Sequence, residues 1–208
     1  MSYTCADCTV YACRQEDHSK MPKNCPMLDK ELMDEAVAVY KSPEMNQFYI
    51  TSAEIEAIGY CKWPRLKETI EFAKRLGYKK LGLAFCAGLR KEAKVVAGLL
   101  RRHGFEVVSV ICKTGGIPKE EVGMHDDQKV RPGNWEAICN PVAQAKLLNK
   151  AGTELNIALG LCVGHDSFFC KYSDAMVTTL VAKDRALAHN PCGAIYIAEG
   201  YGKERLEP

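Results

Sequence analysis

The sequence has no long apolar run, no large excess of either charge and no glycine-rich nucleotide motif, and each absence removes a class of function. Its apolar stretches fall well short of the roughly 20 residues that a membrane-spanning helix needs. Lys and Arg total 28 against 26 Asp and Glu, a formal net charge of +2. That balance gives no electrostatic case for nucleic acid or an anionic membrane as partner. No G-x-G-x-x-G opens a helix, so a nicotinamide cofactor is not expected, and K-T-G-G-I-P-K at 113–119 lacks the P-loop spacing. The opening MSYTCADC has neither a basic nor an apolar leader region, so no secretory or transit segment is expected and the cytoplasm is the expected compartment.

What the chain has in quantity is cysteine. There are 11, an odd number that cannot all pair within one chain. In a reducing compartment clustered cysteines read as metal ligands or catalytic groups rather than disulfides. The 208 residues suffice for one medium domain with a small appendage, and a chain of that length buries a core without covalent staples.

The pattern along the chain divides into three. Residues 1–27 are polar, irregular and cysteine-rich, with Pro22 and Pro26 bracketing Cys25 against helix. Residues 28–78 are helical in pattern and are expected to pack on the main domain. LDKELMDEAVAVYK sets Leu28, Leu32, Ala36, Val39 and Tyr40 near one face behind Asp29 as N-cap. SPEMNQFYITSAEIEAIGY is a second, weaker helix with Pro43 at its first turn, and WPRLKETIEFAKRLG makes a third, started at Pro64 and stopped at Gly77. From 79 to 208 the period alternates. Strands are predicted at 79–86, 105–112, 153–162 and 175–183, and helices at 88–104, 139–152 and after 163, with a loop of roughly 25 residues before Cys139. CGAIYIAEG holds a further element. Strands alternating with helices predict an α/β, three-layer domain with a mainly parallel sheet, Rossmann-like or flavodoxin-like. Strand order is not readable from such a pattern.

The cysteines form two constellations. Cys5, Cys8, Cys13 and Cys25 are spaced C-x2-C-x4-C-x11-C. The close pair lets two thiolates reach one metal from a tight turn, and four thiolates suit tetrahedral zinc or a [4Fe–4S] cluster. His18 lies in the same loop as an alternative donor. The plainer reading, four unligated thiols, leaves a polar segment with little to order it.

The second constellation is dispersed. Cys86, Cys112 and Cys162 each end a predicted strand, and Cys139 begins the helix after the long loop. In an open parallel sheet the strand C-termini share one edge, where ligands bind. Three or four thiolates there would hold an iron–sulfur cluster or zinc, with helix N-termini stabilising the anions. Against this stands the bland reading, since cysteine often fills strands as a small buried hydrophobe.

Other reactive types surround this edge. GLCVGHD sets Cys162 within G-x-C-x-G between a strand and a helix, like the nucleophile elbow of α/β-hydrolases with cysteine for serine. His165 and Asp166 follow as candidates for proton transfer. His189, with Asp184 or Asp174, is the other candidate base. His125, Asp126 and Asp127 read as solvated loop residues or part of a lid. KTGGIPK offers glycine amides and lysines to an anion. Lys183, Asp184 and Arg185 read first as a structural salt bridge.

These residues together resemble the domain-of-unknown-function 1847 family. The resemblance rests on CADCTVYAC with PKNCP, AFCAGLRKEA, GFEVVSVICKTGGIPKEEVG, CNPVAQAKLLN, GLCVGHDSFFCKYS and KDRALAHNPCGAIY, which cover nearly the whole length. The family is often labelled metal-binding, and its occurrence in anaerobes implies iron–sulfur over zinc. Cys61, Cys170 and Cys192 fall outside its typical motifs and rank lower as ligands.

The expectation is a cytoplasmic metalloprotein. Cys5, Cys8, Cys13 and Cys25 bind a [4Fe–4S] cluster, or Zn2+ as the alternative. Cys86, Cys112, Cys139 and Cys162 form a second site with redox or sulfur chemistry on a small molecule, and Cys162, His165 and Asp166 are the candidate catalytic groups. A redox partner protein or a small-molecule substrate is the implied partner. The rivals are a metal-free cysteine hydrolase using Cys162, and a non-enzymatic zinc-binding, sensor or electron-transfer module.

Overall fold

The computed structural model describes residues 3–198 and 200–206. It divides into two units, Met1–Ile58 and Gly59–Pro208. In the first, the cysteine-rich segment consists of short 3-10 turns at Cys5–Asp7, Ala12–Arg14 and Pro26–Leu28. Helix α1 (Lys30–Lys41) starts where expected, because the Asp29 carboxylate accepts the Leu32 N–H at 3.2 Å. Its apolar face is not buried, however. Leu32, Val39 and Tyr40 are exposed, and the helix has no buried residue. Helix α2 spans Asn46–Gly59.

The second unit is a three-layer α/β fold. Among the described residues, strands β1 (Lys80–Phe85), β2 (Glu106–Ile111), β3 (Leu155–Leu159) and β4 (Val177–Val181) form one parallel sheet in the order β2-β1-β3-β4. This is the flavodoxin-like order, with the chain reversing direction across the sheet between β1 and β3. Helices α3 (Arg65–Arg75) and α4 (Arg90–Arg102) cover one face, and α5 (Pro141–Ala151) and α6 (His165–Tyr172) the other. A short helix, α7 (Cys192–Ile197), follows β4.

The period-two alternation of the strands sorts the core. Leu81, Leu83, Leu155, Ile157 and Leu159 point to the α3/α4 face and pack on Ile70, Val96 and Leu100. Ala84 and Ala158 point to the other face and pack on Ala145, Leu148 and Phe169. Small residues on that side let α5 come close. A Cβ on Gly82 would lie 2.0 Å from Asn156 Oδ1 and 2.9 Å from Leu148 Cδ1. Buried Asn156 is held in turn by the Thr153 hydroxyl, which donates to its Oδ1 at 2.8 Å.

Two further features frame the rim. The loop from 113 to 138 is ordered by a neck: Pro118 and Ala137 form an antiparallel bridge, and the Ile138 N–H donates to Ile117 O at 2.8 Å. At its centre Lys129, its side chain only 4% exposed, pairs with Glu120 and with Asp126 at 2.9 Å, and donates to Asn134 O at 2.9 Å. Along edge strand β4, Arg65 of α3 donates from Nε to Thr179 O at 2.7 Å and from a terminal guanidinium nitrogen to Thr178 Oγ1 at 3.1 Å.

Candidate functional site

The parallel ladder carries the cysteines to one level. Phe85 is in register with both Ile111 and Leu159, so Cys86 and Cys112 stand side by side one residue past the strand ends. The ladder continues to them: the Cys86 N–H donates to Leu159 O at 3.1 Å and the Cys112 N–H to Phe85 O at 2.8 Å. On β3, Gly160 turns the chain at a φ of +66°, where a Cβ would sit 2.0 Å from Leu89 Cδ1, and Cys162 follows. Cys139 arrives from the long loop and is fixed when the Asn140 N–H donates to Cys112 O at 2.7 Å. Asn140 then caps α5 by accepting the Ala143 N–H at 3.0 Å. Four cysteines separated widely in sequence thus line one cavity of about 10 Å³, together with His165 and Gln144. That is roughly room for one water molecule.

Three of the thiols form a proton-sharing chain. Cys112 keeps its proton: its contacts with Cys139 and Cys86, and then burial, push its pKa up. The Cys86 thiol is held well below the ordinary 9.0, first by the Cys112 hydrogen bond and further by the Gly88 amide and Lys183. Cys139 is likewise held low, first by Cys112, with Lys113 and His165 adding to it. Backbone amides also serve the sulfurs: Ala87 N–H donates to Cys112 Sγ at 3.3 Å and Gly88 N–H to Cys86 Sγ at 3.4 Å. The fourth sulfur, Cys162 Sγ, is engaged instead by the Arg185 guanidinium at 3.1 Å. That contact raises the Arg185 pKa.

Two buried polar atoms at the small cavity have no hydrogen-bond partner, Gln144 Oε1 and His165 Nδ1. Gln144 is otherwise fully engaged, donating from Nε2 to Val110 O at 2.7 Å and to Phe85 O at 3.3 Å. Buried polar atoms are rarely left unpaired, which sets these two apart from the rest of the buried polar atoms. No group of three or more His, Cys, Asp or Glu among the described residues is already disposed to hold a metal ion. At the rim the Cys162 sulfur is turned to Arg185 rather than to the other three thiols.

Above the thiols opens a cleft of about 780 Å³. All four cysteines and His165 reach it, as do Lys113, Lys183 and Arg185. The long loop supplies an apolar wall with Val122, Met124 and Val130.

The remaining candidates are distributed as follows. Cys5, Cys8 and Cys25 line a second cavity, of about 200 Å³, in the first unit; Cys13 is exposed and is not among its lining residues. Asp166 accepts the Ser167 N–H at 2.8 Å and does not line the cleft. His189, also outside the cleft lining, accepts the Asp184 N–H at Nδ1 at 3.1 Å. The expected salt bridge among Lys183, Asp184 and Arg185 is not what these residues do. Asp184 caps its own turn by accepting the Ala186 and Leu187 N–H groups, each at 2.9 Å, while the two cations go to thiols. Of KTGGIPK, Lys113 and Lys119 face the cleft, with Lys113 donating to Ala137 O and Lys119 paired to Glu136 at 2.6 Å. His125 caps the Asp126–Gln128 turn, and Asp126 belongs to the Lys129 cluster. Cys61, Cys170 and Cys192 are exposed free thiols. Gln144 is the site residue that sequence reasoning missed. The only signal was a polar residue on the apolar stripe of α5.

No helix among the described residues is long and apolar enough to cross a membrane. A relative from Methanocaldococcus jannaschii, described as an uncharacterized protein, MJ0455, is 48% identical over 178 residues, covering 86% of this chain and 90% of its own. The profile of one family, described as Protein of unknown function (DUF1847), matches residues 25–180, which include all four rim cysteines. The chain belongs to that family.

Proposed function

We propose that the rim of the sheet is a thiolate metal centre acting on a small molecule admitted through the cleft. One observation carries this reading: four cysteine sulfurs from separate segments converge on a single cavity whose two other polar atoms, Gln144 Oε1 and His165 Nδ1, are buried and unpaired. A metal ion replaces the proton shared by Cys86, Cys112 and Cys139, as metal binding to thiols does. Cys162 and His165 complete or flank the coordination shell. The size of the cavity fits a single soft ion such as Zn2+, and a [4Fe–4S] cluster requires the four sulfurs to move apart. Either supplies Lewis-acid or redox chemistry at the floor of an accessible cleft. Cys5, Cys8 and Cys25 form a second, structural metal site in the first unit, with Cys13 or His18 as the donor to be drawn in. All 11 cysteines are free thiols, which suits the reducing cytoplasm and, if the centre is redox-active, a redox partner protein.

The test is anaerobic purification with iron, sulfide and zinc analysis and a visible spectrum, on wild type and on Cys86→Ser, Cys162→Ser and Cys8→Ser. Metal content is expected to fall in all three variants. Rim variants that keep the full metal content would remove the rim centre and leave only the N-terminal one. A coloured protein with acid-labile sulfide identifies a cluster, and a colourless one with zinc a single ion.

A second reading draws on the Arg185 contact with Cys162 Sγ at 3.1 Å. A guanidinium donating to the sulfur orients Cys162 as a nucleophile at the mouth of α6. It predicts that alkylation of Cys162 alone abolishes activity while metal content stays unchanged.

A further inference from the structure

The charge in the cleft goes beyond what the thiols require. Four thiolates around a divalent centre carry two net negative charges. Lys113, Lys183 and Arg185 bring three positive ones, each reaching the cleft and each against a different sulfur. Among the described residues none of the three has a carboxylate within ion-pair distance. The one carboxylate lining the cleft, Glu136, is neutralised by Lys119 at 2.6 Å. One positive charge is therefore left over inside a concave site, where low-dielectric walls strengthen its attraction for an anion. The rest of the cleft is of a different kind. Val122, Val130 and Phe168 line it and are exposed, forming an apolar wall. A volume of about 780 Å³ suits a small organic ligand rather than an inorganic ion alone.

We infer that the cleft binds a small organic monoanion, its charged head between Lys183 and Arg185 above the rim thiols and its apolar body against Val122, Val130 and Phe168. This names the substrate class of the site proposed above and rests on that reading for its function, although the binding itself depends only on fixed cations and the cleft wall. The headgroup is a carboxylate or sulfonate, both of which accept guanidinium and ammonium hydrogen bonds.

The test is calorimetric titration of the full-length protein, as isolated and after metal removal. The probes are hexanoate and hexanesulfonate, with hexanamide as the neutral control of the same length. At least one anion is expected to bind about tenfold or more tightly than hexanamide. Arg185→Gln and Lys183→Gln are each expected to weaken that anion about tenfold, leave hexanamide unchanged and melt like wild type, and Arg185→Lys is expected to recover part of the loss. Equal binding of hexanamide and the anions, or anion binding unaltered in both glutamine variants, would overturn the inference. The two readings fail separately. Anion binding that survives while the rim proves metal-free supports this inference and removes the metal centre. A loaded rim with no preference for anions does the reverse.

Discussion

At the scale of single residues, Gln144 joins the fold to the site. Its amide donates to carbonyls of two adjacent strands, β1 and β2, at the point where their ladder ends. Its oxygen meanwhile faces the thiols unpaired. Leucine fills nearly the same volume but leaves both carbonyls without their donor in a buried place. Gln144→Leu is expected to cost about 2 kcal/mol in urea denaturation, and an unchanged midpoint would show that the two bonds contribute nothing. Residues of this kind were the least legible in the sequence. A glutamine on the apolar stripe of a helix reads as an imperfection. Lys183 and Arg185, beside an aspartate, read as a salt bridge, because ion pairs are counted along the chain while their real partners, Cys86 and Cys162, come from other strands. The cysteines were legible for the opposite reason. Three of them end short apolar runs, and parallel strand ends converge by topology alone.

At the scale of elements, the long loop matters most. Its necessity to the site was not visible in its sequence, which shows only glycines, prolines and charges. The structure gives it a two-stranded neck and an interior lysine. Lys129 holds the Glu120 carboxylate below its ordinary 4.5 and that of Asp126 below its ordinary 3.8, and is itself raised above 10.5 by Glu120 and then Asp126. The signs follow from linkage. The two carboxylates stabilise the loop fully above those ordinary values and lose that contribution as pH falls below them through the lower folded values. The lysine contribution is complete below 10.5 and fades only as pH rises beyond it. Acid therefore loosens this loop before neutral or mildly basic conditions do. Amide protection factors over residues 119–134 are expected to drop between about pH 6 and about pH 3. The drop is expected to vanish in Lys129→Met, where the carboxylates have lost their partner. Equal protection at both pH values in wild type would refute the role given to the lysine. Helix starts and stops were legible where Asp29, Pro64 and Gly77 act locally, whereas α2 begins at Asn46 rather than at Pro43. The burial of α1 was not, since an amphipathic stripe shows only that a face is apolar and not that anything covers it.

At the scale of the whole molecule, the two units depend on their cysteines differently. The sheet unit has a packed core on both faces, in which Leu81, Leu100, Leu148, Ile157 and Phe169 are fully buried. Its fold is expected to persist without a metal. The segment from 3 to 28 has only 3-10 turns and exposed or half-exposed cysteines. Chelation followed by hydrogen exchange is expected to strip protection from residues 4–25 and to leave β1 and β3 protected. Protection over 4–25 that is indifferent to the chelator would show that these thiols order nothing through a metal.

The sheet also has an open flank, and Arg65 decides its fate. A terminal parallel strand presents unpaired carbonyls and amides that recruit further strands from other chains. On β4 the outward carbonyl of Thr179 is already taken by a side chain that carries a full charge. An incoming strand would have to displace that guanidinium and leave it stranded against the growing sheet. The flank beside β4 is thus guarded against self-propagation at Thr179 by one residue borrowed from a helix, and among the described residues the sheet stops there at four strands.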